Sequence, residues 1–352
     1  MPGLAAALAD IAASAAERDR NPVFPTMALA SLGAAGALGA TVPAAGAARL
    51  SFADELALVR RVACADASVG RLVDGHLNAV ERLLLLAPDD LRAEVLPEIV
   101  AGRLWLGVWG ADPAPGEGIP ASLEPVGRDW RLNGVKVFCS GAGGLQAALV
   151  VVSDGDARRL AYVEHGEEVE VDRSWFAGSG LRASESHRVV FHGAPVRAVL
   201  GGPDELLREP WFGRDAIRTA GSWAGIADAA HVAARSALAS RAAGGDDLAA
   251  LAAGRMLVAA GTIDRWLADA GRRADADPHA PLAAHSVVLR AAVADAALGL
   301  VEDAVRAGGC RPLATGGALD RAVRDLRLFL LQHRLDPLLV RAGRASLAGE
   351  QL

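Results

Sequence analysis

Lysine is almost absent from this sequence of 352 residues: Lys136 is the only one, and arginine supplies the rest of the positive charge. The formal net charge is -6, and no dense basic patch is present. A nucleic-acid partner is therefore not expected, because neutralising phosphates requires a concentrated positive face. Cysteines are few and far apart, at positions 64, 139 and 310. Their spacing predicts no metal site and no disulfide framework, and it suits a reducing cytoplasm.

Charge is also missing from residues 21–48, and the first residues of the chain lack the basic region of a secretory signal. The uncharged stretch contains three prolines and four glycines. Much of the rest is alanine, which transfers weakly into lipid. We therefore predict two short buried helices joined by a turn in this stretch, and no membrane span.

The hydrophobic period changes twice along the chain, and these changes predict three domains. Residues 1–103 and 206–352 show helical spacing, whereas residues 104–205 consist of short alternating runs separated by Gly, Asp and Ser. We predict an α+β fold with an N-terminal helical domain, a middle β-barrel or sandwich and a C-terminal four-helix bundle. Within the β region, Asn133-Gly134 is predicted to form a type I′ turn between two strands.

Two histidines interrupt apolar helical stripes, where leucine would be the usual residue. His76 lies among valines and leucines of one such stripe. His333 shares a stripe with Phe329 in a helix predicted over residues 322–337. Taken alone, each histidine is more often a buried core residue than a catalytic one.

One stretch of the β region carries a distinctive motif. GRDWRLNGVKVFCSGAGG, residues 127–144, resembles the flavin-facing strand of acyl-CoA dehydrogenases. The shared pattern is a tryptophan, an NG pair, a lysine, an aromatic residue, and a Ser or Thr followed by glycines. Alternation along a strand would put Lys136, Phe138 and Ser140 on one face. Taken alone, Ser140 could reflect turn chemistry and Phe138 could be sheet core.

Further segments match the same family in its order along the chain, so the resemblance spans nearly the whole sequence. They are FPTMALASLGAAGALGATVP, LWLGVWGADPAPGEG, SGLRASESHRVVFHGAPV, Gly308-Gly309 and RDLRLFLLQH. The resemblance implies a flavin site, with FAD as the expected cofactor and FMN or a reduced flavin as alternatives. The flavin contacts that it implies come from Trp109, Ala111, Phe138, Ser140, Arg241, Gly308 and Gly309. Arg241 would reach a neighbouring subunit's pyrophosphate, so a homodimer or homotetramer is expected.

The glutamate that removes the α-proton in acyl-CoA dehydrogenases is missing from both positions where the resemblance puts it. One position falls on His333 and the other on Ile217, while Asp215 lies about half a helical turn away and is predicted to face elsewhere. Flavin monooxygenases of the same fold also lack the glutamate and carry histidines in two corresponding regions. The resemblance therefore implies catalytic roles for His333 and His76, as neutral imidazoles in an apolar pocket.

Three functions remain open at this point. The first, our main expectation, is an FAD-dependent dehydrogenase that acts on an acyl-CoA thioester or a similar small organic substrate and passes electrons to an acceptor. The second is a monooxygenase that uses molecular oxygen and reduced flavin supplied by a flavin reductase. The third is a non-catalytic member of the family that keeps the fold and binds flavin or a partner.

Overall fold

Five helices form the first hundred residues of the computed structural model, which describes residues 1–43, 49–332 and 334–349. They are α1 (Leu4–Arg20), α2 (Thr26–Ala34), α3 (Phe52–Ala65), α4 (Ala67–Leu86) and α5 (Asp89–Val100). The helices α3 and α4 are separated by a single residue, Asp66, whose side chain accepts a hydrogen bond from the N–H of Val69. This N-cap starts α4 in a new direction.

The uncharged stretch forms one helix, α2, followed by turns up to residue 43, so the prediction of two short helices is wrong for the part that is described. Gly36 has a φ of +75°, which favours glycine. Gly39 packs against the end of α5, where an added Cβ would lie 2.7 Å from the Cα of Val100. The two glycines thus let the chain turn back against α5. Residues 44–48 lie outside the described residues.

The middle of the chain is a mixed sheet of eight strands. They are β1 (Leu106–Trp109), β2 (Ser122–Val126), β3 (Asp129–Cys139), β4 (Ala147–Asp154), β5 (Ala157–Glu164), β6 (Val169–Asp172), β7 (His187–Val196) and β8 (Ala198–Leu200). The strand order is β6-β7-β3-β2-β4-β5-β8, and β1 pairs in parallel with β4. Side chains of β4 alternate between two apolar layers: Leu149 packs with α4 and α5, and Val150 packs with β3 and β7.

The Asn133-Gly134 pair does not form the predicted turn. Both residues lie inside β3, and the hairpin between β2 and β3 turns instead at Gly127, which has a φ of 64°. The pairing of β3 with β7 shifts register between Leu132 and Asn133, so the NG pair marks a bulge. Glycine is needed there because a Cβ on Gly134 would lie 2.7 Å from the carbonyl oxygen of Pro120.

The C-terminal part is helical. Its helices are α6 (Trp211–Ala243), α7 (Asp247–Ala276), α8 (Ala283–Gly308), α9 (Arg311–Ala314), α10 (Ala318–Leu331) and α11 (Asp336–Leu347). α6, α7 and α8 pack side by side, and α10 lies against α6 and α8. The single helix predicted over residues 322–337 is two helices, because α10 ends at Leu331 and α11 begins at Asp336. His333 lies outside the described residues. The predicted α+β architecture is confirmed.

By length and composition alone, α8 is apolar enough to cross a membrane. Its buried residues pack in the core shared with α6 and α7, among them Val293, Ala297 and Val301. Its packing is therefore that of a helix inside a bundle.

Candidate active site

A cavity of about 740 Å³ lies between the sheet and the helices. One wall is formed by β1, β3 and the residues that follow each of them, and it includes Ala111, Phe138 and Ser140. The opposite wall is formed by α4, α6, α8 and α10. A cavity of this size is suited to a cofactor or a small-molecule ligand. Three of the predicted flavin contacts therefore lie together.

A bulge at the end of β3 directs Phe138 into the cavity. The pairing with β7 shifts register between Lys136 and Cys139, and Phe138 has a φ of 51°. Its side chain is 48% exposed and meets the ring of Trp175 edge-on, with ring centroids 4.8 Å apart. The prediction that Lys136, Phe138 and Ser140 share one face is wrong for Lys136, because the bulge breaks the alternation and leaves the lysine buried.

Lys136 of β3 holds the loop that follows β1 against that strand. Its Nζ lies 2.6 Å from the carboxylate of Asp112 and 3.5 Å from the carbonyl oxygen of Gly110. In addition, the N–H of Val137 donates to the carbonyl of Ala111 at 3.0 Å. Ala111 is therefore held at the cavity wall by a backbone hydrogen bond, with a buried lysine on one side of it.

Replacing Lys136 with methionine should lower the free energy of unfolding by about 1–2 kcal/mol. The loss is moderate because the carboxylate left behind, Asp112, is 49% exposed and can be hydrated. Lys136→Arg, which keeps the charge, should lose less. Urea unfolding of the two variants measures the difference, and equal stability of Lys136→Met and the wild type would contradict this account.

Ser140 follows β3 on a turn that requires glycine. Gly141 has a φ of +80°, and a Cβ there would lie 2.6 Å from the side chain of Leu145. The hydroxyl of Ser140 lies 2.9 Å from the hydroxyl of Ser186, which lies 2.8 Å from that of Ser184. Ser140 and Ser186 both line the cavity. Two connected hydroxyl groups, each able to donate or accept, therefore face the space beside the sheet.

Trp109 supports this wall from behind and does not line the cavity. Its side chain is buried in the sheet core, where it contacts the rings of His165 and Phe191. Its indole N–H donates to the carbonyl of Ser140 at 3.1 Å. The prediction of a direct flavin contact is therefore corrected: Trp109 positions Ser140.

The three predicted contacts at the far end of the bundle lie away from the cavity lining. Arg241 pairs with Asp246 at 2.7 Å and also donates to the carbonyl of Ala307. Gly308 ends α8, and Gly309 follows it with a φ of 69°. A contact from these residues to a neighbouring subunit's cofactor stays a prediction.

The segments SGLR and RDLR, far apart in the sequence, meet at the edge of the cavity. The carboxylate of Asp325 accepts from the N–H of Leu181 at 2.6 Å, and Leu181 lines the cavity. Arg324 pairs with Asp19 of α1 at 2.7 Å. Gly180 allows this approach, because a Cβ there would lie 2.3 Å from the carbonyl oxygen of Arg324. These contacts fix α10 against the β layer and close the cavity on that side.

His76 is not placed for catalysis. Its Nε2 lies 3.1 Å from the carbonyl of Leu38, and its Nδ1 accepts from the N–H of Leu106 at 3.1 Å. The side chain is 2% exposed, and it is not among the residues that line the cavity. Burial lowers the pKa of His76 to about 4, so the ring is neutral at physiological pH. The catalytic role predicted for His76 is corrected to a structural one, in which the imidazole joins α4 to two other segments.

Asp215, at the start of α6, lines the cavity, contrary to prediction. Residues two apart on a helix point in nearly opposite directions, and Ile217 is fully buried in the bundle core. The carboxylate oxygens of Asp215 lie 2.5 Å from Arg82 and 3.2 Å from Arg218. Burial raises the pKa of Asp215 to about 7, against the opposing effect of both arginines. The cavity wall thus carries a carboxyl group that titrates near neutral pH.

A buried ionic cluster lies beneath Asp215, with Arg218 at its centre. The guanidinium of Arg218 is fully buried and donates to Glu55 at 2.8 Å and to Glu81 at 2.9 Å. Glu55 belongs to α3 and Glu81 to α4. The cluster therefore joins the N-terminal helices to the bundle directly under the cavity.

A second cavity, of about 850 Å³, lies on the other side of α3. It runs between α1, α3, α6, α7 and α10, and nearly half of its lining residues are alanines. None of the residues predicted to contact flavin lines it. The smaller cavity is therefore the candidate active site, because it gathers the sheet motif, the hydroxyl groups and the titratable carboxyl.

Comparison with known proteins gives a match to one family domain and several relatives of similar sequence or fold. A profile of the acyl-CoA dehydrogenase N-terminal domain matches residues 5–103. A dibenzothiophene monooxygenase from Rhodococcus erythropolis is 28% identical over 208 residues, which cover 56% of this chain and 48% of that protein. The chain therefore spans about half the length of the first curated relatives it matches.

Two solved structures share the fold over nearly their whole length. FMN-bound TdsC from Paenibacillus sp. A11-2 superposes with a TM-score of 0.84 at 20% identity, covering 98% of this chain and 96% of that one. KijD3, in complex with FMN and dTDP-3-amino-2,3,6-trideoxy-4-keto-3-methyl-D-glucose, gives a TM-score of 0.83 at 26% identity, covering 99% of this chain and 93% of that one.

The fold, with a cavity between its mixed sheet and its helices, defines the class as acyl-CoA dehydrogenase-like. Residues 5–103 match the acyl-CoA dehydrogenase N-terminal domain, and the chain as a whole has the acyl-CoA dehydrogenase-like fold.

Proposed function

We propose that this protein is a flavin-dependent monooxygenase that uses reduced FMN and molecular oxygen. The proposal rests on the contacts of Asp215, which is the only carboxylate among the described residues that line the cavity. Both of its oxygens are engaged, one by Arg82 and one by Arg218. Neither oxygen is free to take a weakly acidic α-proton, which is what an acyl-thioester dehydrogenase requires. The relatives named dibenzothiophene monooxygenase support the same choice.

The residues of the sheet wall fit a flavin ring. Ala111 presents a small side chain, Phe138 presents a ring held out of the strand, and Ser140 and Ser186 present hydroxyl groups. A flat heterocycle needs such an apolar surface, with hydrogen-bonding groups at its edge. The proposed position for the ring is therefore beside Ser140.

FMN is preferred to FAD for two reasons. Two exposed arginines at the cavity, Arg158 and Arg334, suit a single phosphate. Arg241, the predicted partner of the FAD pyrophosphate, is engaged by Asp246 and by the carbonyl of Ala307 within its own chain. Solved structures of TdsC and KijD3 that contain FMN also favour it.

When bound, reduced flavin supplies the electrons that activate molecular oxygen. The protein's own part is to orient the ring and to exclude water. Ser140 and Ser186 orient the ring edge through their connected hydroxyl groups. Leu206, Leu328 and Phe329 cover the cavity with apolar surface.

The decisive experiment compares flavin affinity and reactivity in one preparation. We expect the protein to bind dithionite-reduced FMN more tightly than oxidised FMN, and to consume oxygen only when a flavin reductase with NADH supplies reduced FMN. Anaerobic addition of an acyl-CoA panel to the FMN-loaded protein should leave the flavin absorbance unchanged. Bleaching by any acyl-CoA would establish a dehydrogenase instead.

Ser140→Ala should weaken FMN binding by roughly 3- to 30-fold, because one hydrogen bond to the ring edge is lost. Ser140→Thr keeps the hydroxyl and should retain most of the affinity. Ser174→Ala, at an exposed position of the same β layer, is the matched control. Quenching of FMN fluorescence on titration measures all three variants. Affinity of Ser140→Ala equal to that of the control would remove Ser140 from the site.

Expectations about partner, assembly, location and substrate accompany the proposed function. The reaction requires a source of reduced flavin, so a flavin reductase is the proposed partner. A homodimer or homotetramer and a cytoplasmic location remain proposals, and a small organic molecule is the proposed substrate.

A further inference from the structure

Arg290 is a buried cation without a counterion in the described part of the chain. It projects from α8, is 5% exposed and lines the candidate active site. Its Nε and Nη2 have no hydrogen-bond partner among the described residues. Asp74 interacts electrostatically with Arg290 from a distance. No ion pair within 4.0 Å joins Arg290 to Asp74 or to any other described residue. Buried charges in proteins are normally paired and hydrogen-bonded, so Arg290 is suited to pair with an anionic ligand.

A second arginine of the cavity wall, Arg71 of α4, also has an incomplete set of hydrogen bonds among the described residues. It is 8% exposed, it lines the same cavity, and its Nε has no partner among the described residues. Its one ion pair, from Nη1 to Asp74, is long at 3.4 Å. Arg71 and Arg290 belong to different helices of the cavity wall, and both interact electrostatically with Asp74. Two arginines with free donors therefore converge on one region.

Two aromatic rings in contact with each other connect the two arginines. The guanidinium of Arg71 lies 5.7 Å from the ring centroid of Phe329, and that of Arg290 lies 5.6 Å from the ring of Trp223. The two rings meet edge-on with centroids 6.3 Å apart. Phe329 also lines the cavity. Phe329 therefore offers an apolar contact at the cavity wall near a cationic donor, and guanidinium groups recognise carboxylate-like anions through such donors.

The charges around the cavity leave room for an anion. Among the described residues of this region, six buried or half-buried arginines face four carboxylates, which gives an excess of two positive charges when all ten groups are ionised. They are Arg49, Arg71, Arg82, Arg214, Arg218 and Arg290 against Glu55, Asp74, Glu81 and Asp215. Of these arginines, Arg71 and Arg290 are the two that line the cavity and also have a donor without a partner among the described residues.

We propose that the substrate carries an anionic group, of the carboxylate, sulfonate or sulfinate type, which Arg290 and Arg71 bind at the helical wall of the cavity. The inference rests on the proposed monooxygenase function and specifies its substrate class. The apolar part of the substrate lies against Phe329, and the anionic end fixes which atom faces the flavin ring beside Ser140. The flavin phosphate is assigned to the exposed Arg158 and Arg334.

The test uses FMN-loaded protein and small aromatic probes. Benzoate and benzenesulfonate are the anionic probes, and benzamide and phenyl methyl sulfone are their neutral counterparts. We expect the anions to bind wild type better than the neutral probes do, by isothermal titration calorimetry. Arg290→Gln should weaken anion binding roughly tenfold or more, and Arg71→Gln should weaken it too. Arg265→Gln, on the exposed face of α7, is the matched control and should leave it unchanged.

A merely structural role for Arg290 predicts a different result. If the arginine stabilises the fold, Arg290→Met should lower the melting temperature of the ligand-free protein. If it awaits an anion, removal of an uncompensated buried charge should leave that temperature unchanged or raise it, while anion binding is lost. Arg290→Lys, which keeps the charge, should retain part of the affinity for benzoate and so separates loss of charge from loss of fold.

Riboflavin separates the two sources of an anion. If Arg290→Gln weakens binding of FMN but not of riboflavin, Arg290 holds the flavin phosphate and the proposal is overturned. Equal affinity of wild type and Arg290→Gln for benzoate and benzenesulfonate would also overturn it. Anion binding that depends on Arg290 in a protein that binds no flavin would instead refute the proposed monooxygenase and leave the anion site standing.

Discussion

Replacing Arg218 with methionine should lower the free energy of unfolding by about 3–5 kcal/mol. The guanidinium is fully buried and satisfies two buried carboxylates, Glu55 at 2.8 Å and Glu81 at 2.9 Å. Methionine has a similar length and no charge, so the variant leaves those carboxylates without their main partner. Urea unfolding followed by far-UV circular dichroism measures the loss.

A double variant shows whether the loss comes from the charges. Arg218→Met combined with Glu55→Gln removes one of the two stranded carboxylates and should recover part of the stability. Arg218→Lys keeps a positive charge and should be less destabilised than Arg218→Met. If Arg218→Met loses less than about 1 kcal/mol, on the scale of an exposed ion pair, the cluster does not join the two helical parts as described.

The same cluster makes the wild type sensitive to acid. Burial would raise the pKa of Glu81, but Arg218 and its neighbours outweigh burial and lower that pKa from 4.5 to about 2. A carboxyl group whose pKa is lower in the folded state contributes stability above its unfolded pKa. That contribution should be lost as pH falls from about 4.5 to about 2, and Arg218→Met should show a weaker dependence in this window.

Periodicity predicted the order of the elements well, because long amphipathic helices and short alternating strands leave strong signals. Sequence patterns failed where the same local residues are compatible with two different backbone structures. Asn133-Gly134 is a good turn pair, yet Gly134 is required at a bulge because the chain passes close to Pro120. The second helix expected in residues 21–48 is absent from the described part, since Gly36 and Gly39 serve turns packed on α5.

The site was predictable on the sheet side and much less so on the helical side. A motif with a fixed order identified Phe138 and Ser140, which do line the cavity. Asp215 was missed because the facing of a helix changes by about 200° over two residues, so a small error in alignment reverses the assignment. Arg290 was missed because its significance depends on the partners it lacks in space, and sequence spacing carries no such information.

His76→Leu should lower the free energy of unfolding by about 2–4 kcal/mol, because the carbonyl of Leu38 and the N–H of Leu106 both lose a buried partner. The wild type should also lose stability in acid through this residue. Burial lowers the pKa of His76 from 6.5 to about 4, so the unfolded chain binds the extra proton first as pH falls. The histidine's full contribution is present above about pH 6.5 and is lost between that pH and about 4.

His76→Gln separates hydrogen bonding from titration. Glutamine can still donate to the carbonyl of Leu38 but cannot be protonated, so this variant should be less destabilised than His76→Leu. Its stability should also fall less steeply than that of the wild type between pH 6.5 and 4, by urea unfolding at each pH. The opposite result would restore the catalytic role of His76: both variants would be as stable as the wild type but would consume no oxygen. Only a residue that acts in the reaction can be replaced with loss of activity and no loss of stability.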